Sequence, residues 1–267
     1  MAGRLAGQTA IVTGAGRGFG RAIALGLAAE GAAVTVTARS KEEIGVTMAQ
    51  IESAGGRALA VTGDVTNRAD VARVVEAAQQ RFGPVTVLVN NAGVAWPFGP
   101  VWAVDPDEWW AAEAVHVRGA LLYMNAVLRG MIEGRRGHII TIAALAGQRV
   151  APNLSAYCVA KNAQMRLTEH VAAETKEYGV AAFAIEPGTT ITELAEGTMA
   201  SPEAQRWLPG MVERLRGLKG QQDQAAVFAR CVEMCAGLAS GRYDALSGRF
   251  FLPQDDFEQL LREAQAG

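Results

Sequence analysis

Thr9-Ala10-Ile11-Val12-Thr13-Gly14-Ala15-Gly16-Arg17-Gly18-Phe19-Gly20 is the stretch from which the rest of the chain is read. Its first five residues are apolar or β-branched and read as a short buried strand. Glycines at 14, 18 and 20 follow, and then an alanine-rich helical run from Ala22 to Glu30. Strand, glycine turn and helix in that order suit a dinucleotide. The missing side chains let the backbone turn tightly and approach a pyrophosphate, while the helix start offers free N–H groups and the positive end of its dipole.

Outward from this stretch, strand-like and helix-like runs alternate. Ala33–Thr37, Ala58–Thr62, Val85–Val89, His138–Ile142 and Ala181–Ile185 predict strands, and Gly248–Leu252 predicts a last short one. Glu42–Ala54, Val71–Phe82, Trp109–Glu133, Tyr157–Tyr178 and Ala225–Leu238 predict helices. Such alternation calls for parallel strands joined by right-handed crossovers, with helices on both faces. The predicted fold class is therefore α/β, a doubly wound parallel sheet in one domain over residues 1–267. The stretches 94–106 and 189–220 read as loops after strand C-terminal ends, where ligands bind in such sheets. The second is expected to act as a lid. Residues 255–266 read as an amphipathic tail helix at a subunit contact.

Composition narrows the function classes. Half of the residues are hydrophobic, 19% are charged and the net charge is −2, a globular profile with no basic stripe for nucleic acid. The three cysteines, Cys158, Cys231 and Cys235, lack zinc-ligand spacing, so no metal is expected, and their odd, sparse count fits a reducing compartment. No apolar run approaches membrane-spanning length and the first residues lack a signal-peptide core, so the expectation is a cytoplasmic protein without a membrane partner.

The residues after the second strand read the cofactor type. An acidic residue there would favour NAD; this chain has Ala38-Arg39-Ser40. Arg39 can pair with a 2′-phosphate and Arg17 can add a second charge, which points to NADP(H). Asp64 can accept from an adenine amino group, or it can cap the following helix.

The chemistry is carried by Tyr157 and Lys161, four residues apart on one helix face. A free phenol, with a pKa of about 10, is a poor base near neutrality, and a neighbouring ammonium lowers that value. The pair therefore suits a proton transfer that accompanies hydride transfer.

Thr13-Gly14-xxx-Gly18-x-Gly20, Asp64-Val65, Asn90-Asn91-Ala92-Gly93, Tyr157-xxx-Lys161 and Pro187-Gly188 followed by Thr192 occur in order across nearly the whole length. In this the chain resembles the short-chain dehydrogenases/reductases, with a Rossmann-type fold. The resemblance implies a cofactor site that also takes in Phe19, Val65, Asn91, Ala92 and Gly93, with Pro187, Gly188, Thr190 and Thr192 facing the nicotinamide. It implies that Lys161 bonds the nicotinamide ribose. It also implies a homotetramer or homodimer built on the long helices, and ketone reduction or alcohol oxidation.

Two positions depart from the family's pattern. Ala144 stands where the family has a serine that polarises the substrate oxygen, and His116 stands at the helix asparagine that helps to hold a relay water. Losing one such donor typically lowers turnover by about two to three orders of magnitude. The substrate's own hydroxyl, or a substitute among Thr141, Gln148, Asn153 and Ser155, is one way to compensate. A move to other chemistry is another. His116 reads either as a third catalytic residue in a proton relay or as a satisfied buried histidine.

Trp96, Pro97, Phe98 and Trp102, the 145–150 segment beyond Ala144 with Gln148, and Leu194, Met199, Trp207, Leu208 and Met211 are the expected substrate walls. They suit a bulky aromatic or polycyclic small molecule. The leading expectation is an NADP(H)-dependent oxidoreductase with Tyr157 as general acid or base. The alternatives are dearomatising reduction, redox-neutral isomerisation or a nucleotide-binding regulatory subunit.

Overall fold

A computed structural model describes residues 3–220 and 223–266. Among them, seven strands form one parallel sheet: β1 (Thr9–Thr13), β2 (Ala33–Ala38), β3 (Arg57–Thr62), β4 (Val87–Asn90), β5 (Gly137–Ile142), β6 (Val180–Ile185) and β7 (Phe250–Phe251). Their order is β3-β2-β1-β4-β5-β6-β7, and every pairing is parallel. The order reverses between β1 and β4. The two chains leaving these strands diverge there and open a crevice at the carboxyl ends.

The sheet is apolar on both faces because its side chains alternate. Ala10 and Val12 of β1 point into one core with Val87, Val89, Ile140 and Ile142, while Ile11, Leu88 and Ile139 point into the other. Helices α1 (Gly18–Ala29) and α2 (Lys41–Ser53) cover the first face. Helix α3 (Arg68–Phe82) covers the second, with the helices that follow β4 and β5.

After β4 come α4 (Pro106–Glu113), a π-helical turn over Ala114–Arg118, and α5 (Gly119–Glu133). The long helix expected over Trp109–Glu133 is thus present but widened around His116; π turns of this kind are frequent at functional sites. Helix α6 (Ser155–Thr175) follows β5 and carries Tyr157 and Lys161. The expected loop 189–220 is instead mostly helical: α7 (Glu193–Ala200), α8 (Pro202–Trp207) and α9 (Pro209–Leu218). Thr192 and Ser201 cap the first two of these, and Pro202 and Pro209 sit at helix starts. Helix α10 (Gln224–Ala239) packs on α1, with the Phe19 and Phe228 rings 4.9 Å apart. The tail helix α11 (Phe257–Ala266) lays Phe257, Leu260, Leu261 and Ala264 on the first core of its own chain.

Candidate active site

The glycine turn is built as its residues require. Gly14 and Gly18 have φ of 62° and 51°, the left-handed region that glycine enters freely. A Cβ on Gly20 would lie 2.2 Å from Gly14 O and 2.4 Å from Asn91 Nδ2, so only glycine fits. Asn91 laces the turn to β4: its Nδ2 donates to Thr13 O at 2.8 Å and to Gly14 O at 3.2 Å. The Thr13 hydroxyl accepts from the N–H groups of Asn91 and Ala92 at 2.9 and 3.1 Å. Arg17 occupies the N-cap of α1 with no side-chain cap bond, which leaves the first-turn N–H groups facing the crevice. The Phe19 ring faces Phe228 of α10.

The other residues expected at a nucleotide lie at the ends of β2, β3 and β6 and in the turn itself. Arg39 is exposed just past β2, and Arg17 lies 3.5 Å from Glu43 of α2. Asp64 accepts from Thr66 N and Oγ1 at 2.8 and 2.7 Å, while Asn67 caps α3. The capping alternative for Asp64 is therefore corrected: Asn67 lies at the helix boundary and Asp64 forms its own turn before it. Val65 packs under Gly119. Beyond β6, Pro187 is partly buried, Gly188 has φ of 93°, and the Thr190 hydroxyl is buried without a protein partner. Thr192 caps α7 beside Gly18.

Across the crevice, Tyr157 and Lys161 share one face of α6. The Lys161 ammonium is 5.5 Å from the Tyr157 ring centroid and donates to Ile142 O at 2.7 Å and to Gln164 Oε1 at 3.1 Å. Burial pulls the Lys161 ammonium down to about 7, against the opposing pull of the Glu186 carboxylate. Burial pushes the Tyr157 phenol well above its usual range, and Glu186 and Cys158 add to the shift. The phenol is therefore in its protonated, donating form.

His116 comes to the same place. Its ring stands edge-on to Tyr157 with centroids 5.7 Å apart, and its Nε2 is 2.7 Å from Val94 O. Nε2 also lies 3.1 Å from Val94 N, but the shorter approach to the carbonyl oxygen assigns the ring proton to Nε2 and leaves Nδ1 buried without a partner. Burial first, and the Lys161 charge second, lower its pKa to about 3, so the imidazole is neutral. Gly93 is needed beside it, because a Cβ there would meet His116 Cε1 at 2.6 Å.

Ala144 is buried and extended just beyond β5. The four side chains considered as substitutes for a serine there have other surroundings. Ser155 Oγ accepts from Trp109 Nε1 at 3.1 Å, Asn153 Nδ2 donates to Trp207 O at 2.9 Å, Thr141 faces Thr168 inside the protein, and Gln148 is exposed. Glu186 anchors the segment instead, accepting from Leu145 N at 2.5 Å.

An apolar cluster flanks Tyr157. Phe98, Leu154, Ala204 and Val212 form its centre, with Met199, Leu208 and Met211 from the α7–α9 segment packed against it. Trp207 reaches the 94–100 loop at Gly99, and Trp96 is partly exposed nearby in sequence. Trp102, expected as a wall, is 88% exposed, because the turn at 101–103 carries it outward. Leu194 is also exposed.

Two site residues escaped the reading of motifs, Gln164 and Glu186. Gln164 had one local signal, a polar residue three positions after Lys161 on the same helix face. Glu186 had another, a carboxylate immediately before Pro187 at a strand end. No group of three or more His, Cys, Asp or Glu side chains among the described residues is placed to hold a metal ion, and none of their helices is long and apolar enough to cross a membrane.

Comparison with known proteins agrees with this arrangement. The short chain dehydrogenase family pattern matches residues 8–203. A short chain dehydrogenase of Pseudocercospora fijiensis is 32% identical over 98% of this chain and 85% of its own. A gluconate 5-dehydrogenase of Burkholderia cenocepacia, solved with NADP and tartrate, superposes with a TM-score of 0.79 at 30% identity, covering 93% of this chain and 94% of its own. An NAD+-bound xylitol dehydrogenase does so with 0.81 at 26% identity, covering 93% and 98%. The chain belongs to the short-chain dehydrogenase family and is an oxidoreductase of alcohols or ketones.

Proposed function

We propose that this protein is an NADP(H)-dependent oxidoreductase that interconverts a bulky, aromatic or polycyclic ketone and its secondary alcohol, with Tyr157 as general acid and base. The observation that carries the reading is the seat of Tyr157: Lys161 lies on one side of it and the apolar cluster of Phe98, Leu154, Met199, Leu208 and Met211 on the other.

The residues present fit a dinucleotide. The Gly20 position is too tight for any side chain, the N-terminus of α1 is uncapped, and the buried Thr190 hydroxyl lacks a partner. Gly14, Gly18, Phe19 and Gly20 would cradle the diphosphate, Arg17 and Arg39 the 2′-phosphate, and Asp64 and Val65 the adenine. Asn91, Ala92 and Gly93 would line the middle, and Pro187, Gly188, Thr190 and Thr192 the nicotinamide.

A bound nicotinamide supplies the hydride. In reduction, the Tyr157 phenol gives its proton to the carbonyl oxygen as the carbon is reduced; in oxidation it takes that proton back. Lys161 stabilises the phenolate that remains and holds the ribose hydroxyls. His116, as a neutral imidazole, completes the wall beside the phenol. Ala144 presents a methyl group toward the substrate oxygen, so Tyr157 is the main donor there. Trp96, Gln148 and Trp207 line the approach, and the α7–α9 lid excludes water. The half-exposed Leu121 and Val159, on α5 and α6, suit a homo-oligomer through those helices.

The test is consumption of NADPH and of NADH against a panel of aromatic and polycyclic ketones, with wild type beside Tyr157→Phe. Turnover that prefers NADPH and disappears in the variant supports the reading. Tight NADPH binding without Tyr157-dependent turnover overturns it.

A further inference from the structure

Gln164 is buried, and both ends of its carboxamide are used. Its Oε1 accepts from Lys161 Nζ at 3.1 Å, and its Nε2 donates to the backbone carbonyl of His116 at 2.9 Å. Lys161 Nζ donates its second bond to Ile142 O at 2.7 Å. Two of the three ammonium protons are thus committed to acceptors held by different elements, the end of β5 and, through Gln164, the π turn at Ala114–Arg118. An amide taken out of water is unfavourable unless both its ends are satisfied. Here they are satisfied by a catalytic lysine and by a carbonyl in the widened turn beside Tyr157.

We propose that Gln164 is a positioning residue that braces the Lys161 ammonium between β5 and the π turn, leaving its third N–H directed to Tyr157 and the cofactor ribose. The inference builds on the role proposed for Lys161 above. No carboxylate among the described residues lies within ion-pair distance of that ammonium, and the charged or titratable groups around it are few. Tyr157 faces it from α6 in its neutral form, His116 from the π turn is also neutral, and Glu186 beyond β6 acts at longer range. Neutral acceptors at the ammonium favour its charged form against the pull of burial, and Gln164 is the only side chain among those it bonds. Replacing its oxygen with an apolar group leaves the ammonium one acceptor short.

The experiment reads Lys161 directly. Lys41, Lys161, Lys176 and Lys219 are the four lysines of the chain, so lysine-selective 13C labelling gives four Cε signals, and Lys161→Arg identifies the one of interest. The cofactor-free protein is titrated as wild type, Gln164→Met and Gln164→Glu. The Lys161 midpoint is expected to fall by about one pH unit in Gln164→Met, the size of one lost hydrogen bond to a charged group. It is expected to rise in Gln164→Glu. A loosened helix would move both variants in the same direction, so opposite signs separate bracing from packing. Should Gln164→Met fail to fold by circular dichroism, the upward shift in Gln164→Glu still decides. Equal midpoints in wild type and variants overturn the proposal. Because no substrate is used, shifts of the expected sign without Tyr157-dependent turnover uphold the brace and remove the reductase reading. Turnover with unmoved midpoints does the reverse.

Discussion

His116 stands at right angles to Tyr157, with the two ring planes at 83° and the imidazole edge against Gly93. The histidine joins three segments: the chain after β4, the π turn and the start of α6. Its Nε2 proton holds the Val94 carbonyl, and its ring leaves no room for a side chain at position 93.

A neutral histidine with a pKa near 3 has no titration to contribute between pH 5 and 9. His116→Asn is expected to lower kcat/KM by about tenfold at most, the effect of one lost neutral hydrogen bond, and to leave the shape of the pH–rate profile unchanged. Loss of a limb near pH 6–7 in the variant would instead make His116 a titrating relay.

Glu113, one turn before His116, is buried with Oε1 unpartnered, and burial raises its pKa to about 7. In the unfolded chain it ionises near 4.5, so between about pH 4.5 and 7 the folded state holds more protons and stability falls as pH rises. Glu113→Gln should therefore raise the unfolding free energy at pH 8, by about 1–3 kcal/mol, and change it little at pH 4. Urea melts at the two pH values test this, and an equal effect at both would refute it.

Ala144→Ser adds a hydroxyl where Ser155, Asn153 and Thr141 are engaged elsewhere. For a reductase that lacks only this donor, kcat should rise about tenfold or more. Steady-state kinetics on one accepted ketone measure it. An unchanged or lower kcat would point to a site specialised around the methyl group.

Arg17 shares its charge with Glu43 at 3.5 Å, whereas Arg39 makes no ion pair within 4 Å among the described residues. Arg39→Ala should accordingly raise the KM for NADPH more than Arg17→Ala, by about tenfold or more, with little change for NADH. Equal effects of the two variants, or equal effects on both cofactors, would contradict this assignment.

The glycine turn, the parallel sheet and the tyrosine–lysine pair were legible because each depends on short-range rules. A backbone at positive φ needs glycine, a two-faced sheet needs runs of apolar residues, and residues four apart share a helix face. The displaced strand and helix ends follow from the same rules, since hydrogen-bond registers and caps such as Asn67 set the final residue. The lid was read as loop because its helices are short and interrupted at Pro202 and Pro209, and they gain stability by packing on Phe98 and Leu154 rather than from their own residues.

The sequence by itself determined the family, the parallel α/β sheet and the turn that suits a dinucleotide. Only the tertiary structure decided what surrounds Ala144 and His116. The neutral state of His116 comes from burial, the seat of Lys161 from Ile142 and Gln164 meeting across two elements, and the Glu186 contact from strands β5 and β6 ending side by side. Charge state and hydrogen-bond partnership depend on which groups remote segments bring together and how far they exclude water, and spacing along the chain carries no record of either.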